Sequence, residues 1–205
     1  MNDIMLPEII TKGTISLEEA LAKRRSIRNY TNEPLTLQEV SQLLWSTQGI
    51  TEPESGHRTA PSAGGIYPLE IFIEVPKNGA KDLTGGVYRY IPEYHKLILV
   101  KSGDHNFSLS EAARDQESVL DAKLNIVIAA VYERTTRRYG ERGIRYVHME
   151  VGHVGQNVSL QATALNLGMV VIGAFNDDQV QKVIGMKEDE KPQYILSVGR
   201  LEQEF

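Results

Sequence analysis

Apolar residues recur along the chain with two different periods, which predicts both strands and helices. Short apolar and β-branched runs bounded by turn residues are typical of strands. Such runs occur at residues 71–75, 87–90, 97–100, 124–131, 169–172 and 194–198. We therefore expect a sheet built from the middle and the end of the chain.

A longer apolar stripe at helical spacing covers residues 144–167 and predicts a long helix with one buried face. Its members follow one another every three or four positions: Val147, Val151, Val154, Val158, Ala162 and Leu165. Gly168 is placed to end this helix. Asn176 and Gly185 are placed to begin and end another.

Two capping boxes predict helices nearer the start of the chain. Ser16 and Thr36 each precede a glutamate by three positions, so that hydroxyl and carboxylate can both satisfy backbone donors at a helix start. The first helix should end near Lys23 and the second near Gly49. The buried face expected for the second consists of Val40, Leu43, Leu44 and Thr47.

Composition limits the chemistry and the partners of the chain. There are 205 residues, no cysteine and a net charge of -5. The lack of cysteine excludes disulfides and thiolate sites, and the negative charge argues against nucleic-acid binding. His148 and His153 are five positions apart and cannot form a helical zinc pair, so no metal site is expected. The short apolar runs and the lack of a signal-peptide pattern predict a cytoplasmic protein without membrane contact.

The organisation of the chain is simple. It shows no internal repeat and no linker, so one core is expected in a single domain, residues 1–205, with residues 1–15 as an N-terminal extension. No dinucleotide-binding fingerprint, P-loop or Gly-x-Ser-x-Gly motif is present, and nothing indicates a hydrolase or an ATPase.

A basic cluster follows the first predicted helix. Arg24, Arg25 and Arg28 surround Ser26, which offers an anion three guanidinium groups and a hydroxyl donor. Guanidinium groups suit phosphate because each can donate two parallel hydrogen bonds. The alternative is a solvated basic patch at the negative end of a helix.

Small residues mark three further candidate segments. One lies in the long loop predicted at residues 51–65, and the other two end strands. Their residues are Pro61, Ser62, Ala63, Gly64 and Gly65; Ile172, Gly173 and Ala174; and Gly199 with Arg200. Small residues let the backbone approach a flat ligand, but an ordinary turn would show the same composition.

Residues 133–145 contain five arginines interspersed with Glu133 and Glu141. The alternating charges favour a salt-bridged surface over a nucleic-acid site.

Four motifs in order resemble the nitroreductase superfamily, and most closely its SagB-type dehydrogenases. They are the cluster at residues 24–28, the segment 61–68, the helical segment 152–157, and Gly168 followed by the segment 172–175. The resemblance extends from about residue 17 to the C-terminus. It implies an α+β fold with a central mixed or antiparallel sheet flanked by helices, and an intertwined homodimer that shares two FMN sites.

The resemblance also implies residue roles. Phosphate contacts would be Arg24, Ser26 and Arg200, and Arg28 would lie near the pyrimidine edge of the flavin. The segment 61–65 would reach the flavin from the other subunit, and Gly173 would present its N–H near N5. Arg25, Ile172, Ala174 and Gly199 flank these contacts. A fixed cation near N1 and O2 would stabilise the negative charge of reduced FMN.

SagB-type enzymes include dehydrogenases that oxidise azoline rings in modified peptides. Those enzymes carry Lys-Tyr where this chain has Arg138 and Tyr139, which makes this pair the catalytic candidate. Arginine is a poor base because its pKa is above about 12, whereas Tyr139 can exchange a proton. Two alternatives stay open: a nitro or quinone reductase that uses NADH or NADPH, and a non-catalytic FMN-binding protein.

Overall fold

A seven-stranded sheet forms the centre of the computed structural model, which describes residues 3–202. The strands are β1 (Ile4–Met5), β2 (Ile50–Glu52), β3 (His57–Arg58), β4 (Leu69–Val75), β5 (Gly86–Ile91), β6 (Lys96–Ser102), β7 (Leu124–Ala130), β8 (Leu167–Ile172) and β9 (Lys191–Arg200). The order in the sheet is β1-β6-β5-β4-β7-β9-β8, and every neighbouring pair is antiparallel. Strands β2 and β3 form a separate hairpin. The predicted α+β class and its antiparallel sheet are confirmed.

Helices cover both faces of this sheet. They are α1 (Leu17–Lys23), α2 (Leu37–Gln48), α3 (Asn106–Ala112), α4 (Glu117–Leu120), α5 (Tyr132–Tyr139), α6 (Arg142–Ala164) and α7 (Asp177–Ile184). Helices α2 and α6 contribute to the core on one face, and α3, α4 and α7 contribute to the core on the other. None of the helices within residues 3–202 has the length and apolarity to cross a bilayer.

Strand β7 shows why apolar and polar residues do not alternate in the runs that predicted the strands. All seven of its residues are buried. Ile126 and Ile128 pack toward α2 and α6, whereas Val127 and Ala129 pack toward the opposite helical layer. A strand covered on both faces is apolar at nearly every position, which produces a near-continuous run, and Asn125 is the polar exception in β7.

The predicted helix starts are confirmed, with a difference between the two capping boxes. Thr36 Oγ1 accepts from Glu39 N at 3.2 Å, and Glu39 Oε2 accepts from Thr36 N at 2.7 Å, so this box is complete. Ser16 accepts from Glu19 N at 3.1 Å, but the Glu19 carboxylate pairs with Lys23 instead. The cap at Asn176 is also present.

The predicted end of the long helix is wrong. Helix α6 ends at Ala164, and Asn166 makes the turn with a φ of 55°. Gly168 lies inside β8, opposite Gly199. A Cβ at Gly168 would lie 2.9 Å from Ile27 Cγ2, so this glycine allows the segment after α1 to pack on the strand.

The loop predicted at residues 51–65 is partly ordered. Strands β2 and β3 form a hairpin at its start, and a 3-10 turn covers Ala63–Gly65. The predicted N-terminal extension also contributes structure, because Ile4 of β1 pairs with Leu97 at the sheet edge. Residues 1–2 and 203–205 of the predicted domain lie outside the described residues.

Candidate functional site

The basic segment, which we define as residues 24–31 after α1, lies across the ends of strands β8 and β9. Ile27 N donates to Met169 O at 2.9 Å, and Thr31 N donates to Arg200 O at 3.0 Å. The Tyr30 hydroxyl contacts the carbonyl of Ser197 at 2.9 Å, and burial raises the pKa of this hydroxyl, so it remains a donor. The segment therefore has a fixed position beside β8 and β9.

Within this segment the candidate anion ligands differ in availability. Arg25 donates to the carbonyls of Ala22 and Arg24 at 2.9 and 2.8 Å, and so caps the end of α1. Arg24 is half-buried, and Ser26 and Arg28 are exposed. Across residues 3–202, no hydrogen bond or ion pair involves the side chains of these last three residues. They present two guanidinium groups and a hydroxyl to an incoming anion.

Arg200 is engaged elsewhere. Its Nη1 and Nη2 each donate to a carboxylate oxygen of Glu39 at 2.9 Å, a bidentate pair with the start of α2. Its Nε lies 3.2 Å from Glu33 Oε1 but without hydrogen-bond alignment. A phosphate contact by Arg200 stays a prediction, and the phosphate would compete there with Glu39.

The second candidate region is the glycine-rich loop, residues 61–67. Gly64 and Gly65 both have a φ of 65°, a left-handed conformation that glycine adopts without strain. Ser62 Oγ accepts from Tyr67 N at 2.9 Å and closes the loop. Pro61 and the two glycines are exposed, and Ala63 is half-buried.

The backbone of this loop lies against both candidate catalytic residues. A Cβ built on Gly64 would lie 2.6 Å from Tyr139 Oη and 2.7 Å from Arg138 Nη1. Glycine thus suits the dihedral angle, and a side chain at this position would displace the ends of Tyr139 and Arg138. The ring of Tyr139 also meets the ring of Tyr146 edge-on at 5.1 Å, and the guanidinium of Arg138 lies 5.3 Å from the Tyr139 ring centre.

The third candidate region follows β8. Ile172 is buried and ends the strand, whereas Gly173 and Ala174 are exposed. A Cβ at Gly173 would lie 3.4 Å from the ring of Tyr194, so the backbone rests on that ring. Gly168, beside the basic segment, is five residues earlier on the same strand, which corresponds to roughly 16 Å at about 3.3 Å per residue.

Within one chain the candidates therefore fall into separate groups. The basic segment lies with Gly199 and Arg200, and the glycine-rich loop lies with Arg138 and Tyr139. In the part of the chain that the structure describes, no hydrogen bond joins the loop to the basic segment or to Gly173.

A buried acid beside the loop was missed from the sequence. Glu150 of α6 is 2% exposed and accepts from Gln48 Nε2 at 3.2 Å. Burial raises its pKa, while hydrogen bonds from Ser62 and Gln48 and the charge of Arg58 lower it. The signal was present, because Glu150 lies on the buried face of α6 next to Val151, where an apolar residue is expected.

A further cavity lies away from these groups. It has a volume of about 840 Å³ and lies between residues 10–17 and the helices α1, α2 and α6. Its polar lining includes Gln42, whose side chain is bonded to the backbone of Ile10. Its lining contains none of the predicted site residues, so the cavity and the candidate site residues lie in different places.

The sequence profile of the Nitroreductase family matches residues 21–200. The chain belongs to the nitroreductase family. The match includes the basic segment, the glycine-rich loop and the ends of β8 and β9, so all of the candidate site residues lie inside the matched region. It is an oxidoreductase, and its family relationships indicate a flavin cofactor.

Known proteins resemble this chain along most of its length. A candidate nitroreductase of Methanocaldococcus jannaschii is 47% identical over 201 residues, which cover 97% of this chain and 96% of that one. The crystal structure of a candidate nitroreductase from Ralstonia eutropha superposes with a TM-score of 0.84 at 28% identity, covering 98% and 90% of the two chains. The microcin B17-processing protein McbC of Escherichia coli is 26% identical over 157 residues, 75% of this chain but 58% of McbC. The similarity to McbC supports the SagB-type branch.

Proposed function

We propose that this chain is an FMN-dependent oxidoreductase that moves a hydride between FMN and a small organic or peptide substrate. The observation that carries the proposal is the contact of Gly64 with Tyr139 and Arg138. It places a proton-exchanging hydroxyl and a cation against the loop that the family resemblance assigns to the flavin. Bound FMN would supply the two-electron hydride chemistry.

The residues of the basic segment fit the phosphate of a mononucleotide. The side chains of Arg24, Ser26 and Arg28 have no hydrogen-bond or ion-pair partner among residues 3–202, and their segment is fixed on the sheet. Gly173 lies roughly 16 Å along β8, so an extended ligand could place its anionic end at the arginines and its flat ring at the glycine. The chain has no dinucleotide fingerprint, which favours FMN over FAD.

In this proposal each residue of the candidate site has one role. Arg24 and Ser26 hold the phosphate, and Arg28 faces the edge of the ring where negative charge collects on reduction. Tyr139 gives or takes the proton that accompanies hydride transfer at the substrate. Arg138 remains charged and stabilises negative charge beside Tyr139, since guanidinium does not act as a base.

We also propose a homodimer in which the glycine-rich loop of one chain completes the flavin site of the other. Two features support it. The loop is not bonded to the basic segment of its own chain, and large apolar side chains are exposed on α1, where Leu17 is 61% and Leu21 is 51% exposed. An apolar helix face of this kind is typical of an interface.

The substrate separates two candidate activities. The likeness to McbC favours dehydrogenation of azoline rings in a modified peptide, and Tyr139 stands at the tyrosine of the Lys-Tyr pair that the resemblance assigns to that chemistry. The Methanocaldococcus relative favours a reductase of nitro compounds or quinones with NADH or NADPH as donor.

The deciding experiment starts from purified protein and follows flavin absorbance without oxygen. Denaturation should release FMN, and its identity is read by chromatography. Bleaching by NADH or NADPH and reoxidation by a nitroaromatic compound or a quinone would establish the reductase. Bleaching by an azoline peptide, with an azole as product, would establish the dehydrogenase. Release of FAD would contradict the proposal that FMN is the cofactor. An FMN-containing protein that none of these compounds reduces would be a flavin-binding protein rather than an enzyme.

A further inference from the structure

The glycine-rich loop is anchored at both ends by side chains that the proposed chemistry does not use. At its start, the Ser62 hydroxyl acts on the carboxyl group of Glu150 and lowers the pKa of that acid. The same oxygen accepts from Tyr67 N at 2.9 Å, so Ser62 joins the two ends of the loop. At its end, the Tyr67 hydroxyl accepts from Arg58 N at 3.2 Å, and the Arg58 guanidinium lies 4.6 Å from the Tyr67 ring centre.

These anchors belong to one buried network. Gln48, the fully buried last residue of α2, donates to Glu150 at 3.2 Å and accepts from Arg58 Nη1 at 3.4 Å. Arg58 is in turn paired with Glu93 at 2.8 Å. The network thus connects α2, α6, the β2–β3 hairpin and both ends of the loop.

A buried carboxyl group on the apolar face of a helix is costly, because burial disfavours its charged form. An apolar side chain of similar size would pack at this position of α6 without that cost. Glu150 therefore works against local packing, and such violations concentrate at functional sites. Its hydrogen bond goes to Gln48 of α2, the residue that accepts from Arg58 beside the loop.

The loop needs such an anchor. Tyr67 has a φ of 53°, which is unfavourable for a residue with a side chain, and two glycines precede it in left-handed conformations. Glycine-rich segments lose the most conformational freedom on ordering. Without Tyr67 held in place, the backbone of Gly64 would have no fixed distance to Tyr139.

We propose that Glu150 is a positioning residue that holds the glycine-rich loop in its ligand-ready conformation through Gln48 and Arg58, which contacts Tyr67 at the end of the loop. It touches neither substrate nor flavin. The inference rests on the proposed function in one respect, namely that the loop contacts FMN.

The test measures the loop directly in the purified chain by hydrogen exchange, and separately measures FMN affinity by titrating the apoprotein. Glu150→Ala should speed exchange of the Tyr67 amide by roughly tenfold or more, the effect of losing a hydrogen bond to a charged group, and weaken FMN binding by a similar factor. In an Arg58→Ala background the same substitution should add little, because its route to the loop is already removed.

The matched control is Glu74→Gln. Glu74 is another fully buried acid, but it lies in β4 and bonds Asn125 on the far side of the sheet. It should leave both readings unchanged. Should Glu150→Ala fail to fold, Glu150→Gln keeps the volume and still removes a carboxylate oxygen.

The outcomes are distinct. Unchanged exchange at Tyr67 in the Glu150 variants overturns the positioning role. Faster exchange with unaltered FMN affinity overturns the link to flavin, since the loop would then move without affecting the cofactor. Failure of the proposed function appears instead in the wild-type chain, as the absence of FMN or of reduction by any donor, whatever the exchange data show.

Discussion

At the scale of single residues, the candidate site depends on what surrounds each group rather than on its type. From the sequence, Arg24 and Arg200 were predicted phosphate contacts, and Arg25 was a residue that flanks them. In the structure Arg25 caps a helix, Arg200 is bound by Glu39, and Arg24 has no side-chain partner among residues 3–202. The free energy of binding an anion should therefore differ among the three guanidinium groups.

Arg24→Ala should weaken FMN binding by about tenfold to a hundredfold, because it removes a charge-assisted contact worth about 1.5–3 kcal/mol. Arg25→Ala removes the same charge from the neighbouring position and should cost less, since that guanidinium already serves α1. FMN titration of both apoproteins compares them. Equal affinity for wild type and Arg24→Ala would remove Arg24 from the site.

Tyr139→Phe should slow turnover by about a hundredfold while the flavin spectrum and affinity stay as in wild type, because general acid–base help is lost and the ring is kept. Rapid mixing of each half-reaction identifies the affected step. A change of less than about threefold in both would make Tyr139 a packing residue against Tyr146.

The motifs predicted the candidate site residues but not the contacts among them. Gly64 and Tyr139 are far apart in sequence, and only the packing of α5 against the loop brings them together. Glu150 was missed for a related reason. Its neighbours along α6 form an apolar stripe, whereas its hydrogen-bond partner Gln48 comes from another helix.

At the scale of elements, caps and periodicity predicted α1, α2, α6, α7 and the long strands. The end of α6 was wrong because Gly168 serves close packing in β8 rather than a helix terminus. Helices α3, α4 and α5 were missed, since they are short and, in α5, almost entirely polar. Tertiary contacts stabilise such elements more than local preference does.

The loop element offers a test that separates strain from contact. Gly64→Ala and Gly65→Ala introduce the same strain, because both positions have a φ of 65°. A Cβ at Gly65 meets nothing within 4 Å, whereas one at Gly64 meets Tyr139 and Arg138. Both variants should lose about 1 kcal/mol of stability, and Gly64→Ala alone should lose turnover. Equal turnover in the two would show that the Tyr139 contact does not matter for activity.

At the scale of the whole molecule, a buried acid connects stability to pH. Burial in β4 raises the pKa of Glu74 from 4.5 to about 8. The folded chain therefore holds a proton that the unfolded chain releases between these values. The stabilising effect of that proton is complete below about pH 4.5 and is lost as the pH rises toward 8.

The free energy of unfolding should consequently fall by a few kcal/mol between about pH 5 and pH 8. Glu74→Gln should flatten this slope, because the neutral amide replaces the protonated acid. Urea denaturation across this range measures both slopes. A slope in the variant equal to that of wild type would assign the pH dependence to other groups.

The proposed homodimer is also a property of the whole molecule. The flavin-loaded protein should elute at twice the mass of one chain in size exclusion coupled to light scattering. Leu17→Glu with Leu21→Glu would place charges on the exposed face of α1 and should yield monomers that lose FMN. A flavin-loaded wild-type monomer would refute the shared site.

The docking of residues 27–31 against β8 and β9 also has a consequence for biosynthesis. Tyr30 bonds Ser197, a partner 167 positions later in the chain. A ribosome adds about 5–20 residues per second, so the arginine segment emerges many seconds before the strand that fixes it. Cofactor capture must then follow translation of β9, and nascent chains that stall earlier should emerge as colourless intermediates.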